Sequence, residues 1–386
     1  MQYRKFGRLS WKGSALGFGA MRLPTTDNDQ AHVDEAEAIR MIRYAIDHGV
    51  NYLDTAYLYH MGNSERTVAK ALKDGYRQKM RLATKLPARM IEKAADFDRI
   101  FNEQMEKLQV DKIDYYLLHG LNNQSWPKVR DLGVIAWAEQ QMAKGRFGHL
   151  GFSFHDDLKM FKEIVDSYDN WVLSQVQYNF MDVKVEPGRQ AGRAGVEYAA
   201  SKGLAVVVME PLRGGLLAKD PPPAVAEAWE GAPPGVSRVE LALKWLWDQP
   251  EVSVVLSGMS MMNQVEENVT FAARSAVRSL KDDERKLFDR VRQAYLSLTP
   301  IPCTRCGYCQ PCPNGVNIPD IFQLYNETTM YADANIGRFR YASPMGMPAA
   351  QRADQCKECS ECLDACPQHI PIPDWLKKAH AELTPK

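Results

Sequence analysis

Ile113-Asp114-Tyr115-Tyr116-Leu117-Leu118-His119 is a short apolar run of strand-favouring residues that ends on a histidine. It follows an amphipathic stretch of helical period over 96–109. The same alternation extends in both directions. Upstream, helical stretches at 34–48 and 64–74 lead into Val50-Asn51-Tyr52-Leu53-Asp54 and Met80-Arg81-Leu82-Ala83-Thr84-Lys85. Downstream, a stretch at 127–143 precedes Gly148-His149-Leu150-Gly151-Phe152-Ser153, and one at 157–168 precedes Leu173-Ser174-Gln175-Val176-Gln177. Further stretches at 191–202 and 237–247 precede Leu204-Ala205-Val206-Val207-Val208-Met209 and Val252-Ser253-Val254-Val255-Leu256. Leu16-Gly17-Phe18-Gly19 opens the series, after a charged, hairpin-like start at Tyr3-Arg4-Lys5-Phe6-Gly7.

Short apolar runs alternating with helical segments imply βα units and a parallel sheet. Eight such units within about 250 residues match a (β/α)8 TIM barrel, in the α/β class. A doubly wound sheet is the runner-up. It would carry GxGxxG after its first strand, whereas Gly17-Phe18-Gly19-Ala20-Met21-Arg22 lacks the third glycine. The 386 residues exceed one small domain. The expected division is a barrel over 1–297 and a smaller domain over 298–386, with Thr299-Pro300-Ile301-Pro302 at the boundary. Asp220 to Gly235 is proline-rich and reads as a long loop after the seventh strand. Residues 281–297 read as a charged amphipathic helix.

Lys and Arg number 48 against 48 Asp and Glu, so no overall charge draws the chain to nucleic acid or an anionic membrane. No apolar run approaches the roughly 20 residues of a membrane span. The N-terminus leads into no apolar signal segment, and the cytoplasm is the expected location.

All eight cysteines fall after residue 302, in two cassettes. The first is Cys303-x2-Cys306-x2-Cys309-x2-Cys312-Pro313, and the second is Cys356-x2-Cys359-x2-Cys362-x3-Cys366-Pro367. The second has the spacing and the following proline of the bacterial two-cluster ferredoxin run. Thiolates at this spacing suit [4Fe–4S] clusters. In that pattern the fourth cysteine serves the other cluster. Cys303, Cys306, Cys309 and Cys366 would then hold one cluster, and Cys356, Cys359, Cys362 and Cys312 the other. The competing reading is two four-thiolate zinc sites, but those usually take separated CxxC pairs. The first cassette departs from the run by one residue before Cys312.

A TIM barrel carries its chemistry at the C-terminal ends of its strands. Asp54, Lys85 and His119 stand at three such ends, and Tyr59 lies in the loop after Asp54. Singly, each has an ordinary structural role open to it: helix cap, packing residue, solvated charge, satisfied histidine. Together, over roughly residues 1–297, they resemble the aldo-keto reductases and supply all four members of that family's catalytic tetrad. The resemblance implies that Tyr59 donates a proton, Lys85 lowers the phenol pKa, Asp54 holds Lys85, and His119 orients a carbonyl.

The same resemblance implies a cofactor site. Ser153 and Gln175 match nicotinamide contacts. Leu212 and Arg213-Gly214-Gly215 match a phosphate-side loop. Gly258, Ser260, Gln264 and Asn268 match the adenosine segment, and Gly19, Met21 and Arg22 should line the same pocket. Two departures stand out. Met209 replaces an aromatic residue that stacks on nicotinamide, and Gly258 and Gln264 replace a lysine and an arginine that meet the NADPH 2′-phosphate. A hydride carries two electrons and a cluster one, so coupling them calls for a group that handles both, most simply a flavin. The expected function is an iron–sulfur oxidoreductase acting on a small carbonyl or alcohol, with NAD(P)H or a flavin, two [4Fe–4S] clusters and a redox protein partner. The alternatives are an NAD(P)H-dependent carbonyl reductase with structural clusters and a non-catalytic redox-sensing subunit.

Overall fold

The computed structural model describes residues 1–27, 29–185, 190–343 and 346–385. A short antiparallel hairpin, β1 (Tyr3–Lys5) and β2 (Lys12–Ser14), comes first. The barrel strands follow: β3 (Leu16–Gly19), β4 (Tyr52–Asp54), β5 (Arg81–Pro87), β6 (Ile113–Leu121), β7 (Phe147–Phe154), β8 (Leu173–Gln177), β9 (Ala205–Met209) and β10 (Val252–Gly258). Neighbours in this order pair in parallel, and β10 pairs with both β9 and β3, which closes the barrel. This is the (β/α)8 fold expected from the alternation.

The strands are buried on both faces, which is why they read as near-continuous apolar runs. Alternation still sorts their side chains. Tyr52, Ala83, Tyr115, Leu117, Val207 and Val254 pack inside the barrel. Leu53, Leu82, Tyr116, Leu118, Val206 and Val255 face outward against the helices. The hairpin turn closes the N-terminal end. Phe6 is fully buried there, its ring centroid 5.0 Å from those of Trp11 and Tyr115 and 5.8 Å from that of Tyr52. The buried Arg4 guanidinium donates to the carbonyls of Trp247, Gln249 and Val252, which ties β1 to the segment entering β10.

Two segments differ from their reading. The helix expected over 127–143 is two, Ser125–Asp131 and Val134–Ala143, with Gly133 at φ +83° between them. The loop expected over 220–235 contains a short helix, Pro223–Ala228. Proline suits a first turn because its fixed φ is already helical and its missing N–H is not needed there.

Residues 1–218 and 236–280 form one compact unit; residues 219–235 and 281–386 form a second. In the second, the helix Asp282–Ser297 packs on the proline-rich segment through Phe288 and Trp229, whose ring centroids are 5.9 Å apart. Arg290 Nε adds a 2.9 Å hydrogen bond to the Ala228 carbonyl. The helices Ile318–Met330, Ala334–Ala342 and Ile372–Leu383 build a core around Ile321, Phe322, Tyr341, Leu376 and Leu383. Among the described residues, no helix is long and apolar enough to cross a membrane.

Phe6→Ala should open a cavity at the barrel floor that the surrounding strands cannot collapse to fill. The expected loss is roughly 3–5 kcal/mol, read as a lower urea midpoint with unchanged slope. An unaltered midpoint would show that the floor does not support the barrel.

Candidate functional site

Strand register builds the site. Gly19 pairs with Gly258 on one side and Asp54 on the other. Asp54 pairs with Ala83, two residues before Lys85, and Pro87 pairs with His119. The C-terminal ends of β3 to β6 and β10 therefore meet at one mouth. Within it, Lys85 Nζ donates to Asp54 Oδ1 at 2.5 Å, to the Thr55 carbonyl at 2.9 Å and to Tyr59 Oη at 3.1 Å. The Lys85 and Asp54 side chains are each 1 % exposed. Tyr59 and His119 are only half-buried, and their rings meet edge to face at 5.8 Å. The charged pair lies at the base of the mouth, and the Tyr59 and His119 rings lie above it.

Burial pulls the Lys85 pKa down, but Asp54 and Tyr59 push it up further, so the ammonium is retained. Burial raises Asp54, and Lys85 pulls it back. Gln175 gives Asp54 its smallest favourable contribution, while Oδ2 has no hydrogen-bond partner within ordinary range. For Tyr59, burial raises the pKa above 10.0 and outweighs the lowering by Lys85. The lysine acts in the expected direction, but desolvation exceeds it. Burial, then the charge of Lys85, holds the His119 imidazole well below 6.5, so it is neutral.

Two supports were not legible in the sequence. His60 occupies a left-handed turn at φ +53° and is buried. Its Nε2 accepts from Leu23 N at 3.0 Å, and its Nδ1 donates to the Gln30 carbonyl at 3.0 Å. It fastens the loop bearing Tyr59 to the loop after β3. Behind Lys85, Gln104 Nε2 donates to the Lys85 carbonyl at 3.1 Å and to the fully buried Glu65 at 2.7 Å. Thr84 also donates to Glu65, and Tyr116 donates to Gln104 Oε1 at 2.6 Å. Only adjacency in sequence, Tyr59 to His60 and Thr84 to Lys85, hinted at either.

The residues expected to hold a cofactor divide into groups. Ser153 and Gln175 are register partners, both buried. The Ser153 hydroxyl accepts from Gly120 N at 2.8 Å, which braces the turn after His119. Met209 is half-buried at the end of β9 and pairs with Gln177. The Leu212 carbonyl accepts from Gly215 N and Leu217 N and makes the turn containing Gly214. Asp182, buried, accepts from Gln177 and Asn179 and pairs with Arg213 at 3.5 Å beneath that turn. Ser260 N donates to Gln264 Oε1 at 2.8 Å, and Asn268 donates to Ser257 Oγ at 3.2 Å. Arg22 lies against both Gly214 and Gly258. Gly19, Arg22, Gly214 and Gly258 thus share one corner of the mouth, while Met21 is exposed beyond β3.

In the second unit none of the eight cysteines forms a disulfide. Cys303, Cys306, Cys309 and Cys366 line one cavity. Cys312, Cys356, Cys359 and Cys362 line another, with Cys309 on the wall between. Among the described residues, no three His, Cys, Asp or Glu side chains close on a single ion. Each foursome surrounds a space instead, an arrangement that fits a thiolate-held cluster.

A parallel barrel with a buried Lys–Asp pair beneath a tyrosine and a neutral histidine, followed by a cysteine-lined unit, defines an oxidoreductase with an iron–sulfur domain. The sequence model of the Aldo/keto reductase family matches residues 15–292, and the chain belongs to that family. A 4Fe-4S dicluster domain matches residues 302–370. The chain is 28 % identical to L-galactose dehydrogenase of Arabidopsis thaliana over 74 % of its own length and 92 % of that protein. It is 26 % identical to the YqkF oxidoreductase of Bacillus subtilis, over 76 % and 97 %. Among solved structures, aldo-keto reductase AKR11C1 from Bacillus halodurans superposes with a TM-score of 0.62 at 29 % identity, covering 75 % of this chain and 96 % of that one.

The His119 pKa gives a signed pH dependence. Its folded pKa lies below the ordinary 6.5, so the unfolded chain takes up the proton first as pH falls. Neutral His119 stabilises the barrel fully above 6.5, and that contribution is lost as pH drops from 6.5 toward the depressed folded value. Urea midpoints followed by tryptophan fluorescence should fall more steeply from about pH 7.5 to about pH 5 in the parent than in His119→Gln. Parallel slopes would refute the assignment.

Proposed function

We propose that the barrel interconverts a small carbonyl compound and its alcohol, exchanging electrons with a redox protein through two [4Fe–4S] clusters. One observation carries this reading: Lys85 Nζ lies 2.5 Å from Asp54 Oδ1 and 3.1 Å from Tyr59 Oη, with the His119 ring beside Tyr59. A carbonyl oxygen seated between Tyr59 and His119 takes the phenolic proton as its carbon takes a hydride. The Lys85 ammonium stabilises the phenolate left behind, and Asp54 keeps that ammonium charged and in place. Neutral His119 donates a hydrogen bond to the carbonyl oxygen and cannot compete as an acid. Tyr59 Oη can then be reloaded through the half-buried mouth. Alcohol oxidation runs the same steps in reverse.

A nicotinamide or flavin held at the Gly214–Gly258 corner would supply or accept the hydride. Exchange with one-electron clusters favours the flavin. The two cysteine-lined cavities support the interleaved assignment, with Cys366 serving the Cys303 set and Cys312 the Cys356 set.

Anaerobic purification followed by iron, sulfide and cofactor analysis tests the composition. Two clusters and an extractable flavin are expected, and Cys366→Ser should remove about half the iron. Intact clusters with no flavin would shift the reading to a nicotinamide-dependent reductase. Tyr59→Phe should lower turnover about 10²–10⁴-fold with the cluster spectrum unchanged. Turnover at the parent rate would remove the tyrosine from the chemistry.

A further inference from the structure

We infer that the barrel acts on an anionic carbonyl compound, an oxo acid or its hydroxy acid, and that Arg89, with His155, receives the carboxylate. The inference rests on the carbonyl–alcohol reading above and names the class of compound. Strand register places the residues. Pro87, the last residue of β5, pairs with His119 on β6, and Arg89 lies just beyond it in the single turn Ala88–Met90. Leu121, at the end of β6, pairs with Phe154 at the end of β7. The next residue, His155, donates its backbone N–H to the Leu121 carbonyl at 3.1 Å. Arg89, His119 and His155 therefore stand at neighbouring strand ends, with His119 in the middle. In the closed strand order β6 lies opposite β10, so this side of the mouth is across from the Gly214–Gly258 corner. A substrate anion here and a nucleotide there would not compete for one place.

The charge on this side is of one sign. The charges that act on the His119 imidazole come from Lys85, His155 and Arg89, and each opposes its protonation. Arg89 is exposed, and among the described residues its guanidinium has no hydrogen-bond or ion-pair partner. Its carbonyl accepts from Lys128 Nζ at 3.2 Å, which brings a second exposed cation to the same turn. The aspartates of the adjoining loops are engaged elsewhere. Asp96 accepts from Glu92 N at 3.0 Å and Lys93 N at 3.1 Å, and pairs with Arg99 at 3.0 Å. Asp156 accepts from Asn123 N at 2.8 Å, and Asp157 caps the next helix by accepting from Met160 N at 2.9 Å. A rim of uncompensated cations concentrates anions before any contact is made. The guanidinium fork then meets a carboxylate through two parallel N–H donors. A carbonyl oxygen seated between Tyr59 and His119 would have Lys85 beneath it and Arg89 and His155 to one side. The carboxylate of an oxo acid would fix which way the chain lies, and so which face of the carbonyl meets the hydride.

The test is reduction of pyruvate and 4-oxobutanoate, each beside its methyl ester, by the anaerobically purified full chain. NADH, NADPH and reduced methyl viologen are each supplied as reductant, and the alcohol formed is measured. Parent, Arg89→Gln and Arg89→Lys proteins are compared at low and high salt. The parent should prefer acid to ester. Arg89→Gln should raise KM for the preferred acid at least about 10-fold more than for its ester at low salt, with the change in KM exceeding that in kcat. The gap should narrow as salt rises, and Arg89→Lys should recover part of it. The urea midpoint, measured alongside, should match the parent because Arg89 is exposed, which separates a lost contact from a lost fold. Esters reduced as readily as acids, or an acid KM unmoved in Arg89→Gln, overturns the carboxylate assignment and leaves carbonyl reduction standing. A parent with intact clusters that reduces none of these compounds overturns both.

Discussion

The mouth of this barrel is organised around one charged contact, Lys85 Nζ to Asp54 Oδ1, with both side chains almost wholly removed from water. Taking two charges out of water costs several kcal/mol per ion, and their mutual attraction often no more than offsets it. Such a pair is a poor device for stability alone. Its value lies in what an ammonium does at that depth. It cannot move to solvent, it keeps its proton because Asp54 is beside it, and its remaining donors go to the Thr55 carbonyl and Tyr59. The tyrosine is the group that reaches the mouth, so in the proposed chemistry the lysine would act through it.

That pair also sets the demand for the shell behind it. A lysine displaced by an ångström would lose either Asp54 or Tyr59. Its backbone is held by Gln104, which is held in turn by Glu65 and Tyr116. Burial raises the Glu65 pKa, with donors from Thr84 and Gln104 and the nearby Lys107 opposing it. On the other side, His60 and Ser64 fix the loops after β3 and β4 to each other. Asp54, Lys85 and His119 stand on strand ends and Tyr59 on a turn that is itself fastened, so their geometry is carried by the scaffold.

The sequence made the barrel and the tetrad legible because both leave local marks. A buried parallel strand is a short apolar run, and the residue at its end falls at a countable position, as at Asp54, Lys85 and His119. The cysteine cassettes were legible for the same reason: their ligands sit at fixed short spacings. What stayed hidden depends on contacts between distant segments. His60 reads as one histidine among eight until Leu23 and Gln30 are seen to close on it. Gly258 reads as the loss of a lysine until the Arg22 stem is seen lying across it. The sign of the net Tyr59 shift was also out of reach, since it is the difference between two large opposing effects. Charge proximity can be guessed from a motif, but the depth of burial that outweighs it cannot.

The second unit poses the same issue in another form. Cys366 lines a cavity with Cys303, Cys306 and Cys309, while Cys312 lines one with the second cassette. Each foursome therefore draws on both ends of a segment that includes the 43 residues between Cys312 and Cys356. Those residues must fold back for either set to assemble. They do so by burying Ile318, Ile321, Phe322 and Tyr341 against Leu376 and Leu383. Thiols brought together only by a folded core bind metal as part of folding, so cluster loss and core loss are linked. The exposed Cys306 and Cys359 then mark where each proposed cluster comes nearest to solvent. A cluster that served only to staple the fold gains nothing from such exposure, whereas one that passes electrons to another protein needs an accessible edge.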